Sequence, residues 1–351
     1  MTTGPGQFHP PQPGNFQTNN GPVGKPAATP RVRRSIHLST AVTLLLGIPW
    51  LLFSLVVVMV IVSVVAPDNE TALWSALGVF LGSGLLVFFR PTEDVIARVM
   101  FRLRKPTMHE GRALDAVWGN VAQAAGTRPE KYRLWVQDTQ EPNAFATSGH
   151  IVAVTRAALD MPPNHLDAVL AHELGHHLGG HAWATLLTYF YAIPGRLVAK
   201  VWFWLNYVVF AVLAGFGLGA AGGALGGRTG AQAAGCLIGP IVRLFPIMWM
   251  LFLAWALYSI HPALLLLFAI PYVLAWFGRY GEKYADRVAA DLGYGQPLIE
   301  VLYGWLNAGH DAARKQQGWR ANLFSTHPSC ASRIQALEKR LYGRTQIGGS
   351  A

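Results

Sequence analysis

Twelve residues, LAHELGHHLGGH from Leu170 to His181, hold four histidines and one glutamate. Within them His172, Glu173 and His176 spell HExxH. On a helix, positions four apart share a face, so both imidazoles can reach one zinc ion while Glu173 lies beside the attacking water and can take its proton. His177 and His181 fall roughly a hundred degrees or more around the helix from that face, and read as solvent-facing or hydrogen-bonded residues. The flanks predict the helix itself, with Asn164 as N-cap, Asp167 as its capping-box partner, and Leu166, Val169 and Leu170 as an apolar stripe.

A catalytic zinc needs a third protein ligand and an open position. The pattern HExxHxxGxxH finds its glycine in Gly179 but fails at the last histidine, because that position is Ala182 and His181 comes one residue early. Far along the chain, GEKYADRVAADLG offers Glu282 and Asp286, four apart on an expected helix. Glu282 can ligate zinc while Asp286 accepts a hydrogen bond from a ligand histidine. Alone, such an acidic pair in a charged helix is usually a solvated face; beside HExxH it completes a ligand set. Asn143 to Thr147, followed by the alternating HIVAVT, reads as a loop and strand able to pair with an extended peptide. Asn143, Ala144 and Phe145 are then the candidate substrate contacts, and an ordinary structural strand is the alternative.

HELGH at 172–176, EKYAD at 282–286, NAFAT at 143–147 and THPSCASR at 326–333 together resemble the HtpX-type membrane zinc metallopeptidases and their CAAX prenyl protease relatives. The resemblance covers about residues 35–342. It implies that Glu282 is the third zinc ligand, that Asp286 supports the site, and that one zinc ion is held per chain. It sets His327 and Arg333 near the active site as catalytic residues, where an imidazole or a cation can stabilise an oxyanion; Cys330 is a bystander. The implied fold is mainly α with a small β-sheet, a polytopic helical membrane protein carrying a gluzincin-type metallopeptidase domain. The implied substrates are polypeptides, membrane or misfolded proteins, in a quality-control role. The CAAX-processing branch fits less well, since its members have more transmembrane spans than this chain supplies.

The elements that must position these residues are set by hydropathy. Of 351 residues, 52% are hydrophobic and 13% charged, a balance too apolar for an ordinary soluble protein, so the lipid bilayer is an expected partner. Residues 1–35 are expected to be a disordered Pro- and Gly-rich tail. Residues 36–90 hold two apolar runs around the acidic loop PDNE and predict a transmembrane hairpin. Lys25, Arg31, Arg33 and Arg34 precede it, and Arg90, Arg98, Arg102, Arg104 and Lys105 follow it, so both flanks are expected in the cytoplasm. Residues 91–200 form the first part of the peptidase domain, 201–278 two further hydrophobic segments, and 279–351 the second part. If both parts build one site, the chain crosses an even number of times between them, although the stretch 241–277 reads equally as one long helix or two short ones.

The formal charge of +10 does not indicate nucleic acid, because the basic residues cluster beside apolar segments without an interleaved aromatic stripe. Cys236 and Cys330 make neither a disulfide framework nor a metal site. A site-2-type intramembrane protease would carry its motif in an early span with an Asn-Pro-x-x-Asp-Gly-type partner, which is absent. A metal-binding membrane scaffold or transporter is the non-enzymatic alternative, but a transporter places ionisable residues inside its spans, and these spans are almost bare of them. The expected location is the cell membrane, multi-pass, with the catalytic portion facing the cytoplasm.

Overall fold

The computed structural model describes residues 36–318, 323, 325 and 327–343, apart from some side chains between 225 and 239. The tail, with Lys25, Arg31, Arg33 and Arg34, lies outside the described residues, as does Thr326. The described chain is mainly helical, with one four-stranded sheet. Helix α1, Leu38–Val65, has 28 residues; at 1.5 Å per residue it is about 42 Å long, enough to cross a hydrocarbon core of about 30 Å. Helix α2, Glu70–Ser83, begins on the side chain of Asn69 and tightens into a 3₁₀ turn, Gly84–Phe88. Five segments are long and apolar enough to span a membrane: Leu38–Val65, Glu70–Phe88, His181–Ala224, Pro240–Ile260 and Pro262–Asn307.

The portion between the second and third of these segments is built on a sheet of order β1-β2-β4-β3, with β1 Leu103–Arg104, β2 Arg133–Gln137, β3 Ala144–Thr147 and β4 Ile151–Thr155. Strands β2 and β4 are parallel, and the other two pairs are antiparallel. Every residue of β4 is buried, as suits a strand covered on both faces. Its Val152 and Val154 enter the main core with Leu114 and Val121 of α4, Met108–Ala124, and with Leu170 and Leu174 of α5, Pro163–Leu178. Its Ile151 and Ala153 join Trp135 and Leu103 on the other face, under Ala97 of α3, Arg90–Val99. Strand β3 is an edge.

Helix α3 also carries Glu93, a fully buried carboxylate. Gly149 N–H donates to its Oε1 at 2.9 Å, His150 Nδ1 lies 3.1 Å from the same oxygen, and Arg133 Nη2 donates to Oε2 at 3.2 Å. One side chain thus ties the segment that follows the membrane hairpin to the β3–β4 turn and to β2.

Helix α5 starts one residue before the expected cap. Pro162 occupies the N-cap position and Pro163 the first helical position, without a side-chain cap. Proline's fixed φ suits a first turn, where its missing N–H costs nothing, so Asn164 falls inside the helix. Gly180, at φ +79°, turns the chain directly into α6, His181–Ile260, which breaks at Gly226 and Gly227. Phe245 packs on Phe203, Tyr207 and Phe210, and Trp249 on Phe203, so the second half of α6 runs back along the first. The stretch 241–277 is interrupted at His261, whose backbone is extended, because a residue before proline is pushed out of the helical region. A 3₁₀ turn, Pro262–Ala269, then leads into α7, Ile270–Ala289.

Several contacts bring these excursions back to one level. Thr40 Oγ1 donates to Gly179 O at 2.8 Å, Phe88 packs on Trp183, and His37 stacks on Tyr280 and Tyr284. The chain therefore leaves this level at His181 and has returned to it by Gly281. There α7 lies against α5 so closely that a Cβ on Gly175 would sit 2.8 Å from the Cα of Ala285. Helix α8, Gly295–Asn307, the short α9, His310–Gln316, and α10, Cys330–Tyr342, complete the described chain.

Two substitutions test this packing. Glu93→Ala strips three partners of a buried acceptor and leaves Arg133 beside a void, and should destabilise the fold by about 3 kcal/mol; thermal unfolding of the detergent-purified chain measures it, and wild-type melting would mean the cluster contributes nothing. Gly175→Ala overpacks the α5–α7 contact at a cost of about 1–3 kcal/mol. It should lower divalent-metal binding more than it lowers the melting temperature, since the helices separate just where His172, His176 and Glu282 converge; full metal binding with a normal melt would show that the contact has slack.

Candidate metal centre

Both histidines of the motif project from α5 toward α7. His172 Nε2 lies 3.6 Å and His176 Nε2 3.3 Å from the Glu282 carboxylate oxygens, and one donor atom from each of the three residues lies within 4.8 Å of the others. Two imidazole nitrogens and a carboxylate oxygen are the donor set that holds a divalent transition metal with a fourth position open. Asp286, one turn further along α7, is 2.9 Å from His172 Nδ1, which leaves Nε2 facing the centre. Arg333 grips Asp286 with two donors, Nε to Oδ2 at 2.9 Å and Nη2 to Oδ1 at 2.6 Å.

The electrostatics favour positive charge at this point. Burial and the Arg333 charge both oppose protonation of His172, yet hydrogen bonds to Asp286 and Glu282 raise it from the ordinary imidazole range to about 10. An environment that holds a cation on a buried imidazole so firmly fits a bound metal ion equally well.

Glu173 is buried and accepts the N–H of Ala146 on its Oε2 at 2.7 Å. Burial lifts its carboxyl above the usual range, against the charges of His172 and His176, which lower it. The bond to Ala146 follows from the register of β3. Asn143 O accepts from Thr155 N at 2.9 Å, and Asn143 N donates to Thr155 Oγ1 at 2.9 Å. Bonding alternates along an antiparallel pair, so Phe145 and Thr147 also face β4, while the peptide groups of Ala144 and Ala146 face outward. The side chain of Asn143 receives the Ala144 N–H at 2.9 Å.

The structure therefore gathers His172, Glu173, His176, Glu282, Asp286, His327 and Arg333 around one centre, with Asn143, Ala144 and Phe145 on the adjacent edge. His327 Nδ1 lies 3.0 Å from Glu282 Oε2 and its ring is exposed. Arg333 is buried, and its guanidinium is engaged by Asp286; Ser329 caps its helix, and Asp311 receives the N–H groups of Cys330 at 2.9 Å and Ala331 at 3.2 Å. His177 is buried and its Nε2–H donates to Ile151 O at 2.9 Å; burial carries it down to about 3, so it is a neutral core residue. His181 approaches the His176 ring at 5.8 Å. Ala146 was not among the expected contacts, because which peptide group of NAFAT faces outward depends on the register with β4.

Peptidase family M48 matches residues 109–341, about two thirds of the chain. Among curated proteins, Protease HtpX of Psychrobacter sp. is 26% identical over 64% of this chain and 69% of its own. Protease HtpX homolog 2 of Methanosarcina mazei is 29% identical over 60% of this chain and 66% of its own. The crystal structure of S. mikatae Ste24p covers 83% of this chain and 63% of that one, with 17% identity and a TM-score of 0.41. The chain belongs to peptidase family M48, as a multi-pass membrane metallopeptidase similar to the HtpX proteases.

Proposed function

We propose that this protein is a zinc-dependent endopeptidase that cleaves extended segments of membrane or misfolded proteins at the membrane surface. The observation that carries this reading is the bond from Glu173 to Ala146: the carboxylate of HExxH touches an outward-facing peptide group of an edge strand, which is where an added strand of substrate would lie.

His172, His176 and Glu282 would hold the ion. When bound, zinc supplies Lewis-acid polarisation of the scissile carbonyl and makes a water molecule acidic. Glu173 takes the proton of the attacking water and delivers it to the leaving nitrogen. Its raised affinity for a proton suits both halves of that transfer. The carbonyl groups of Ala144 and Ala146 align the substrate backbone beside the centre, with Asn143 fixing the start of the strand. His327, exposed at the edge of the centre, is the donor suited to the developing oxyanion. Arg333 is better read as a positioning residue, since it holds Asp286, which in turn orients His172. Asp286 and Arg333 thereby fix the ligand geometry before substrate arrives.

In the cell membrane, His181–Ala224 and Pro240–Ile260 would cross once each, and the broken apolar stretch 262–277 would complete the return to the side from which the chain left without a further crossing. The basic residues Arg90, Arg98, Arg102, Arg104 and Lys105 follow the hairpin, and the positive-inside tendency sets that side in the cytoplasm. Segments of damaged membrane proteins that emerge there are the substrates within reach.

Glu173→Gln, purified with zinc content equal to wild type, should lose cleavage of an unfolded protein such as casein by at least ~100-fold. Equal cleavage by both would remove Glu173 from the chemistry, and silence from both with zinc bound would favour a non-catalytic metal-binding scaffold. Orientation has a native reporter, because Cys236 is exposed beyond the break in α6 and Cys330 is buried. A membrane-impermeant maleimide should label Cys236 in intact cells and spare Cys330; labelling of Cys236 only after permeabilisation would reverse the topology.

A further inference from the structure

We propose that a basic cleft beside the metal centre binds the phosphate headgroup of an anionic phospholipid at the level where α7 leaves the lipid. The cleft has a volume of about 560 Å³ and is lined by Trp276, Arg279, Tyr280 and Lys283 of α7 and by Arg314 and Lys315 of α9. Helix α7 passes here from the apolar run IPYVLAWF to the charged run RYGEKYADR. Trp276 and Tyr280 stand at the junction, as aromatic residues do at the lipid–water boundary, with cations one turn beyond. His37, directly before α1, stacks on Tyr280, so the end of a second membrane-length helix marks the same level.

Charge selects the occupant. Four cations face one cleft, whose single acidic lining residue among those described is Asp311. Both Asp311 oxygens are taken by the Cys330 and Ala331 N–H groups. The guanidinium of Arg279 donates to Ser325 O at 2.9 Å, and that of Arg314 to His327 O at 2.6 Å. These bonds hold both forks at the wall of the cleft. Neither Lys283 nor Lys315 has an ion-pair partner among the described residues. The two lysines bring charge with no ion-pair partner among the described residues, and a phosphate with several acceptor oxygens can meet their ammonium groups beside the guanidinia. The exposed Trp276 wall belongs to the span, so acyl chains attached to that phosphate continue along α7 into the bilayer. A free phosphate or an acidic peptide would leave that wall unused. Because Arg314 also holds the backbone of His327, the bound headgroup would brace the segment that flanks the metal centre.

The test uses the full chain reconstituted in nanodiscs of equimolar phosphatidylglycerol and phosphatidylcholine, with native mass spectrometry of the lipid that stays bound on release. Wild type should retain phosphatidylglycerol in preference. Lys283→Gln with Lys315→Gln should weaken retention roughly fivefold for each lysine removed, at unchanged zinc content and melting temperature. Arg112→Gln with Arg128→Gln removes the same charge from exposed residues outside the cleft and should retain the lipid as wild type does. Equal loss from both pairs would reduce the effect to unspecific surface charge and overturn the proposal. Displacement of the lipid by soluble glycerophosphate at matched ionic strength would make the cleft a free-phosphate site, and wild-type retention with impaired cleavage of acidic substrates would make it a peptide subsite; either overturns it. Should the double variant fold poorly, Lys315→Gln alone, remote from the ligands, carries the same test with one step of weakening.

Discussion

Everything at the centre depends on how closely α5 and α7 approach. Gly175 lies between the two histidines of the motif, and its missing side chain lets the backbone of Ala285 come to van der Waals distance. Glu282 and Asp286, on either side of Ala285, are thereby pressed toward His172 and His176. A larger residue at either contact would hold the helices apart by about the length of a bond, which is enough to spoil a ligand set whose donor distances tolerate only a few tenths of an ångström. Small residues at this crossing act as the spacer that sets how near His172, His176 and Glu282 come to one another.

Buried carboxylates then fix the surroundings. Asp286 joins His172 to Arg333, and through α10 to the loop that bears His327. Glu93 does the equivalent work on the far side of the sheet, where it joins α3 to the turn that ends the edge strand. Each is costly to bury unless fully partnered, and each is. One cluster orients His172, and the other fixes the turn at the end of the edge strand.

Much of this was legible in the sequence, and what was not has particular causes. HExxH reads directly, because the period of a helix converts spacing into direction. Glu282 and Asp286 became meaningful only beside it, since an acidic pair alone has no preferred interpretation. The cap expected at Asn164 lies two residues earlier, at Pro162, because Pro163 suits the first helical position. The break at His261 was written in the following proline but masked by the continuous apolar run around it. Glu93 gave no warning, because a glutamate in the first turn of a helix is ordinarily a solvated helix-start residue, and its burial follows only from tertiary packing. For Ala146 the strand was expected, but which of its peptide groups faces outward follows from register with β4, a long-range property.

The excursion of the chain between His176 and Glu282 has a consequence in time. During synthesis at about 5–20 residues per second, the helix bearing the two histidines is finished several seconds before the residue that completes the ligand set. In that interval the hydrophobic segments between them have to find the bilayer and return. A nascent, truncated or wrongly inserted chain therefore carries two thirds of a metal site and no working hydrolase. On the proposed reading, competence would arrive together with insertion, and the topology would withhold proteolysis until the chain is in the membrane.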